Sequence, residues 1–549
     1  MLDKINYNET TKNNFSKLFF TLNSNGVKDK LLLASVFVTG CAVLIVEIIA
    51  IRILAPYYGN TIYTTSSVIG TVLAALSLGY YIGGLLSDKY PNYSFFYGII
   101  SISGLSIIFV RFLGNIILPI LSLLFPITIG SLLSSVFMFF TPSFLLGMLS
   151  PFAIKLHHVK SSESGVLQDA KQFNIVNKQD KIGSQSGEVF FWSTLGSIAG
   201  SLLSGFVFIP HFGINFIITI TGIILGIWGL CGFFISQNKK PKVLTLIVLF
   251  FLYGVFFLWF IQLNNPQKQG DVLYEKDGIY EKIKITEGQW QGRPARFLSQ
   301  DKSQSAAMYI DSDELLYDYT KYYQLYKLIN PDAKSAFLIG GGAYSIPKAL
   351  LKDSPNMKVD VAEIEPELFL LSQKYFNLQN NPRLANYTED GRRFLSKNQK
   401  KYDIIISDVY YSFFSIPVHF TTKEFFDLAK NRLSDSGVFI GNFAGDLNPQ
   451  PPSLIFSEIK TFKEIFPNSY FFAVDSVDSK KPQNIIFLGI NGLKQIDFKS
   501  DLILNSNNSI INGLAKKNIE IDNIDFTVHQ ELTDNFSPVE YLVGKVINK

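Results

Sequence analysis

Long apolar runs constrain the fold of this chain more than any other feature of its sequence. A helix needs about 20 apolar residues to cross the hydrocarbon core of a bilayer. Seven runs meet this requirement, at residues 31–54, 62–86, 93–112, 132–154, 189–209, 214–235 and 243–263. They predict a multi-pass α-helical membrane domain over residues 31–264, preceded by a polar tail at residues 1–30. The lipid bilayer is therefore the expected partner of the first half of the chain.

One further segment leaves the number of membrane helices open between seven and eight. Residues 115–129 are short for a span and contain Pro119 and Pro126. Proline lacks the N–H group that a helix interior requires, so it favours a break or a helix end. The segment is interpreted as an eighth span, a re-entrant piece or an extension of its neighbours.

The second half of the chain has the composition of a soluble protein. From Asp271 onward, Lys, Asp and Glu recur every few residues. The two cysteines, Cys41 and Cys231, both lie in apolar runs, so neither a disulfide framework nor a thiolate metal site is predicted. The net charge of +4 is modest, and no basic run is interleaved with aromatic residues. We therefore expect no metal and no nucleic acid partner.

A small β-rich subdomain followed by a helix is predicted over residues 270–330. Apolar and polar residues alternate between Asp271 and Ile310, which is typical of strands with one buried face. The Lys-Asp-Gly sequence at 276–278 is a turn candidate. Residues 317–329 contain five tyrosines and have the spacing of an amphipathic helix.

Residues 331–549 begin with the order of elements that a nucleotide-binding α/β domain requires. An apolar strand at 335–339 runs into three consecutive glycines, and a helix is predicted over 345–352. A second strand, 358–362, ends in Glu363, about 20 residues after the glycines. Nucleotide-binding sites of this type place a carboxylate on the ribose hydroxyl groups at that position.

The alternation of helices and strands continues toward the C-terminus. Helices are predicted at 366–375, 393–397 and 422–433, and strands at 402–407 and 437–442. This spacing implies a parallel sheet that binds its ligand at the carboxyl ends of the strands, where Glu363, Asp390 and Asp408 are placed. The predicted fold class is thus a multi-pass α-helical membrane domain followed by an α/β class I methyltransferase-like (Rossmann-type) domain with a small N-terminal β-sheet.

Four ordered motifs resemble those of the spermidine synthase superfamily. They are GGGAYSIPKALL, VAEIEPEL, EDGRRFL and YDIIISDVYY, within residues 270–489. The whole chain resembles fused major facilitator and spermidine synthase proteins, on GGLLSDKYP at 83–91, LAPYYG at 54–59 and IPVHFTT at 416–422. The resemblance implies a polyamine aminopropyltransferase-like domain over residues 331–549, with S-adenosylmethionine or its decarboxylated form as co-substrate and an amine or polyamine as acceptor.

The resemblance also implies roles for individual residues. The implied cofactor-binding residues are Gly340, Gly342, Glu363, Asp390, Gly391 and Gln304. Glu363 would bind the ribose hydroxyl groups and Asp390 the adenine amino group. Asp408 would be the catalytic residue, because a carboxylate can hold an acceptor amine and take its proton. The implied substrate residues are Tyr317, Tyr411 and His419.

Two departures from the family pattern keep several functions open. Ala343 and Tyr411 stand where the family has aspartates that face cationic substrates. Aminopropyl transfer is the first hypothesis, and an S-adenosylmethionine-dependent methyltransferase on the same fold is the second. The third is a transporter or sensor whose soluble half binds nucleotide or polyamine and regulates the membrane half. A homodimer is also considered.

The side of the membrane on which the C-terminal half lies is not fixed by the distribution of charge. Lys and Arg mark cytoplasmic loops, but seven and eight spans place the basic segments and the C-terminal half differently. A nucleotide co-substrate is supplied in the cytoplasm. On that basis we expect a multi-pass protein of the cell membrane with a cytoplasmic soluble domain.

Overall fold

The computed structural model describes residues 25–158, 182–236, 271–301, 303–410 and 417–547. The chain divides into two compact units. Unit 1 comprises Met1–Ala55 and Tyr63–Gln267, and unit 2 comprises Pro56–Ile62 and Lys268–Lys549. Each unit is described by itself below.

The apolar runs of unit 1 form long helices. The six that are described are α1 (Asn25–Tyr58), α2 (Ile62–Lys89), α3 (Tyr93–Leu124), α4 (Ile127–Gly147), α5 (Ile182–Leu203) and α6 (Ile214–Ser236). Helical structure continues beyond α4 to His158 and beyond α5 to His211, and all six helices are long and apolar enough to cross a membrane. The seventh predicted run, 243–263, lies outside the described residues.

The segment at 115–129 extends its two neighbours and does not form a span of its own. Helix α3 continues to Leu124, and α4 starts at Ile127. Pro119 lies inside α3, whereas Pro126 is the residue directly before α4. The ring of Pro126 supplies a φ of −62°, which suits the entry to a helix. Of the three interpretations of this segment, the extension is the one found.

Glycines allow the helices of unit 1 to approach one another closely. A Cβ atom added to Gly196 or Gly200 of α5 would lie 2.1 Å from the carbonyl oxygen of Phe37 or 2.2 Å from that of Cys41, both in α1. The two glycines are four residues apart and therefore share one face of the helix. Small residues at this spacing let helix backbones meet, and van der Waals packing between them then holds the pair together.

We predict that Gly200→Ala destabilises unit 1, because the new methyl group overlaps the Cys41 carbonyl and α1 and α5 must separate. The expected loss is about 2 kcal/mol, as for overpacking in a close-packed interior. Gly187→Ala in the same helix is the control, since no atom lies within 4 Å of an added Cβ atom there. Thermal unfolding of the purified full chain compares the two. Equal melting temperatures would contradict the proposed packing.

Unit 2 starts with a small antiparallel sheet of four strands in chain order. These are β1 (Val272–Asp277), β2 (Lys282–Trp290), β3 (Arg293–Gln300) and β4 (Ser303–Tyr309). The helix expected at 317–329 consists of three consecutive short helical pieces, Asp318–Lys321, Tyr322–Leu325 and Tyr326–Ile329. The middle piece is a 3-10 helix, so the segment is helical throughout but not one regular α-helix.

A seven-stranded sheet forms the centre of unit 2. Its strands are β5 (Ser335–Ile339), β6 (Lys358–Ala362), β7 (Leu384–Tyr387), β8 (Tyr402–Ser407), β9 (Leu433–Gly445), β10 (Ser469–Ala473) and β11 (Gln483–Ile490). The order across the sheet is β10-β11-β9-β8-β5-β6-β7. The five strands from β9 to β7 are parallel, and β10 and β11 pair antiparallel at one edge. This is the predicted Rossmann-type α/β fold.

Helices cover the sheet between its strands. The longer ones are α7 (Ser345–Asp353), α8 (Leu368–Tyr375), α9 (Gly391–Lys397), α10 (Lys423–Asn431), α11 (Leu454–Ile465) and α12 (Val539–Ile547). The sheet is buried on both faces, because alternate residues of β5 enter two separate cores. Ala336 and Leu338 belong to one core and Phe337 and Ile339 to the other. This explains why the central strands are continuous apolar runs rather than alternating ones.

Candidate active site

A cavity of about 560 Å³ lies at the carboxyl ends of the parallel strands of unit 2. Its lining includes the residues that follow β5, β6 and β8 and side chains from the small sheet. A volume of this size suits a ligand of nucleotide dimensions. The parallel sheet thus places the cavity where α/β proteins of this type bind their ligands.

The turn after β5 is shaped by glycines that approach neighbouring groups closely. Gly340 has φ +86°, and an added Cβ atom would lie 2.5 Å from the carbonyl oxygen of Asp408. Gly342 has φ +51° and meets only the Ala306 side chain, at 3.6 Å. Both conformations favour glycine, because a side chain is strained at positive φ. The glycines bring the turn close to the end of β8 and keep the cavity floor free of side chains.

Glu363 follows β6 and is tied to the glycine turn. One of its carboxylate oxygens, Oε2, accepts hydrogen bonds from the N–H groups of Gly341 at 2.7 Å and Gly342 at 3.3 Å. The other, Oε1, accepts from the N–H of Glu365 at 2.9 Å. Burial raises the pKa of Glu363, and these backbone donors counteract the rise. The carboxylate lines the cavity with its position fixed by the backbone.

Asp408 follows β8 on the other side of the glycine turn. Its N–H group donates to the Ile339 carbonyl at 3.1 Å, and its Oδ1 accepts from the Asn442 side chain at 2.9 Å. The Tyr319 hydroxyl lies near this carboxylate and donates to the Ser305 carbonyl at 3.4 Å. Burial raises the pKa of Asp408, although the Asn442 and Tyr319 side chains oppose the rise. Asp408 is therefore a half-buried, oriented carboxyl group that faces the cavity.

Asp390 occupies the N-cap of α9 beside Gly391. Its Oδ1 accepts from the Arg393 N–H at 2.9 Å, and its Oδ2 lies 3.1 Å from Nε2 of His419. Burial raises the pKa of Asp390, but the hydrogen bonds from His419 and the helix backbone outweigh it, so the pKa is lowered. Asp390 and Gly391 both line the cavity. Among the described residues, His419 contacts Asp390 and is not part of the cavity lining.

Gln304 and Tyr317 lie together in the cavity wall that the small sheet contributes. The Tyr317 hydroxyl is 3.4 Å from Oε1 of Gln304, and its ring stacks on Tyr319 with a centroid distance of 6.0 Å. Tyr319 in turn lies near Asp408. Tyr411, the remaining expected substrate residue, lies outside the described residues.

Several polar cavity residues were not singled out in the sequence. Asn442 donates to Asp408, Tyr319 lies near it, and Glu281 enters from the turn between β1 and β2. Asn442 ends a predicted apolar strand, which is a detectable signal because polar residues at the carboxyl ends of parallel strands face the ligand. Glu281 has no such signal, since it lies in a hairpin that only tertiary structure brings to the cavity.

The lining of the cavity is strongly acidic. Its carboxylate residues are Glu281, Glu314, Asp318, Glu363, Glu389, Asp390, Asp408 and Asp475. Within the part of the chain that the structure describes, Lys321 is the single basic residue in the lining. A concave surface with one sign of charge attracts ligands of the opposite sign.

We predict that Asp390→Ala lowers the free energy of unfolding by about 1 kcal/mol, because the N–H of Arg393 loses its capping acceptor. Asp390→Asn is the matched control. Asparagine caps helices about as well as aspartate, so it is expected to retain most of the stability. Equilibrium urea unfolding at neutral pH measures both variants. A loss of equal size in the two would show that the cap is not the source of the stability.

Comparison with known proteins identifies the domain that contains this cavity. Residues 324–498 match the spermine/spermidine synthase domain family. A polyamine aminopropyltransferase of Vibrio vulnificus is 25% identical over 289 residues, which cover 50% of this chain and 92% of that protein. An N-terminal histidine N-methyltransferase of Emericella nidulans is 32% identical over 143 residues, which cover 25% of this chain and 24% of that protein.

A longer similarity extends beyond unit 2. Polyamine aminopropyltransferase 2 of Aquifex aeolicus is 22% identical over 439 residues, which cover 75% of this chain and 78% of that protein. This is more of the chain than unit 2 contains, so the similarity reaches into unit 1. The relatives support a transferase. Within the C-terminal half of this chain, residues 324–498 are similar to spermine/spermidine synthase domains.

Proposed function

We propose that unit 2 transfers an aminopropyl group from decarboxylated S-adenosylmethionine to an amine acceptor. The observation that carries the proposal is an acidic cavity in which an oriented carboxyl group, Asp408, lies across the glycine turn from Glu363. The names of the Vibrio vulnificus and Aquifex aeolicus relatives support this reaction. S-adenosylmethionine itself is the other donor considered.

The proposed roles are those that the resemblance to spermidine synthases implies. Glu363 accepts hydrogen bonds from the ribose hydroxyl groups, and Asp390 binds the adenine amino group. Gly342 leaves room for the nucleoside, whereas Gly340 and Gly391 let the turn and α9 pack closely against Asp408 and Ile339. Gln304 and Tyr317 border the nucleoside. These residues surround one cavity, whose volume of about 560 Å³ lies within the usual range for nucleotide-sized ligands.

Asp408 is proposed as the general base. An ammonium ion has no lone pair, so the acceptor must lose a proton before its nitrogen attacks. Asp408 takes this proton as the new carbon–nitrogen bond forms and the carbon–sulfur bond of the donor breaks, leaving its electron pair on sulfur. The hydrogen bond from Asn442 orients the carboxylate for this step. The raised pKa of Asp408 increases its proton affinity.

A second candidate, methyl transfer from S-adenosylmethionine, is favoured by the surroundings of the glycine turn. Ala343 lines the cavity there and is 1% exposed, so no carboxylate at this position repels the carboxylate that S-adenosylmethionine carries and its decarboxylated form lacks. The similarity to a histidine N-methyltransferase also supports methyl transfer. Mass spectrometry of the product distinguishes the two reactions, because the acceptor gains either an aminopropyl or a methyl group.

We predict that Asp408→Asn lowers the rate of product formation by about 10²- to 10⁴-fold, the usual contribution of a general base. Nucleoside binding is expected to persist, because Glu363 and the glycine turn are unchanged. Product is measured by mass spectrometry after incubation of the purified full chain with donor and diamine.

The matched control for this variant is Asp427→Asn, which changes an exposed carboxylate on α10 outside the cavity. It should retain wild-type turnover. Full product formation by Asp408→Asn would remove the proposed role of this residue, whereas absence of both candidate products from the wild-type chain would reject the transferase proposal.

We also propose that the helices of unit 1 cross the cell membrane and that unit 2 lies in the cytoplasm. Six helices have the required length and composition, and the proposed nucleotide donor is available in the cytoplasm. The Lys and Arg residues near the helix ends do not decide the side by themselves.

Cysteine labelling tests the side of the membrane. Leu493 is 99% exposed, so Leu493→Cys provides an accessible thiol in unit 2. We expect a membrane-impermeant maleimide to label this variant only after the cells are lysed. The unmodified chain, with Cys41 and Cys231, gives the background signal. Labelling of Leu493→Cys above that background in intact cells would place unit 2 outside.

A further inference from the structure

Glu281 is a buried acid in the cavity that the proposed reaction does not use. The residue is 3% exposed and follows the turn between β1 and β2. Its Oε2 is buried and has no hydrogen-bond partner among the described residues. Leaving a buried polar atom without a partner costs roughly 1–3 kcal/mol. An atom of this kind in a ligand cavity is therefore a candidate to form a hydrogen bond with the ligand.

The turn that carries Glu281 is fixed to the end of β6. The N–H of Tyr280 donates to Oε2 of Glu365 at 3.0 Å. An added Cβ atom at Gly278 would lie 2.6 Å from that same oxygen and 2.7 Å from the Glu281 carbonyl oxygen. Glycine therefore lets the turn pack against Glu365. This packing places Glu281 next to Glu363, the residue proposed to bind the ribose.

Among the described residues, the charged groups that act on Glu281 are acidic. They are Asp301 from the turn between β3 and β4, and Glu363 and Glu365 from the end of β6. Three backbone N–H groups stabilise a negative charge on Glu363, whereas among the described residues only the nearby Gln300 side chain opposes the rise in the pKa of Glu281. If one of these neighbouring carboxyl groups is neutral, it is Glu281. Burial and the nearby carboxylates raise the pKa of Glu281 well above its usual value.

A neutral carboxyl group at this position complements Glu363. A ribose hydroxyl group donates one hydrogen bond and accepts others. Glu363, as a carboxylate, can only accept, whereas protonated Glu281 has an O–H group to donate. We propose that Glu281 binds the nucleoside as a protonated acid, so that donor binding by this cavity requires a proton. The inference rests on the proposed function of the cavity as a nucleoside site.

The sign of the pH dependence follows from the protonation state. The proton is retained at low pH, where the hydrogen bond to the nucleoside is present. The proton is lost as the pH rises through the folded-state pKa of Glu281. The ionised Glu281 then adds a second negative charge beside Glu363. A single linked proton weakens binding by about tenfold for each pH unit above that pKa.

We expect the affinity of the purified full chain for adenosine to fall as the pH is raised from about 6 to about 9. Adenosine is the probe because it has no charged group that titrates in this range. Glu281→Gln carries a permanent N–H donor of similar shape and should flatten the profile. Glu281→Leu has no donor and should weaken binding at low pH by at least about tenfold, the equivalent of one hydrogen bond. Isothermal titration calorimetry measures all three.

Glu275→Gln is the matched control on the same hairpin. Glu275 is exposed and pairs with Lys282, and this variant should keep the wild-type profile. A flat profile for the wild-type chain, or parallel profiles for wild type and Glu281→Gln, would overturn the role of Glu281 while leaving the nucleoside site in place. Absence of binding at every pH, with the fold intact by circular dichroism, would reject the nucleoside site itself.

Discussion

The hydrogen bonds from Gly341 and Gly342 to Glu363 hold the site together. They join the turn after β5 to the end of β6 and fix a carboxylate against the backbone. The turn can reach Glu363 only because Gly340 and Gly342 adopt positive φ, and because Gly340 passes the Asp408 carbonyl without a side chain. One local contact thus sets the spacing between Glu363 and Asp408, on which the proposed binding and proton transfer both depend.

Negative charge is concentrated in this cavity at an energetic cost, and the structure limits that cost differently at each position. Backbone N–H groups stabilise Glu363, a helix N-terminus and His419 stabilise Asp390, and side-chain donors stabilise Asp408. Each carboxyl group therefore has a distinct environment, and environments of this kind separate the pKa values of neighbouring acids. Such separation allows one acid to bind, another to accept a proton and another to stay neutral.

Much of the α/β fold could be predicted from local sequence. The strands at 335–339, 358–362 and 402–407 form as predicted, because each contributes apolar residues to two buried cores and is followed by a glycine or an acid. The extension of α3 across Pro119 and the short strand β7 were not resolved by pattern alone. Proline is tolerated in long helices whose neighbours pack around it, and β7 has only four residues, too few for a clear periodicity.

The residues of the candidate site also differ in how well local sequence predicts them. Residues at the ends of central strands carry a signal in the sequence, because the strand pattern fixes where a parallel sheet presents them. Glu281 reaches the cavity from a separate sheet, through the contact between Tyr280 and Glu365, and no local pattern records a contact between residues 85 positions apart. The acid to which the proposed proton dependence is assigned is thus one that local sequence patterns do not reveal. Residues that give a shared fold its particular behaviour enter from such peripheral elements, where the sequence is not constrained by the central sheet.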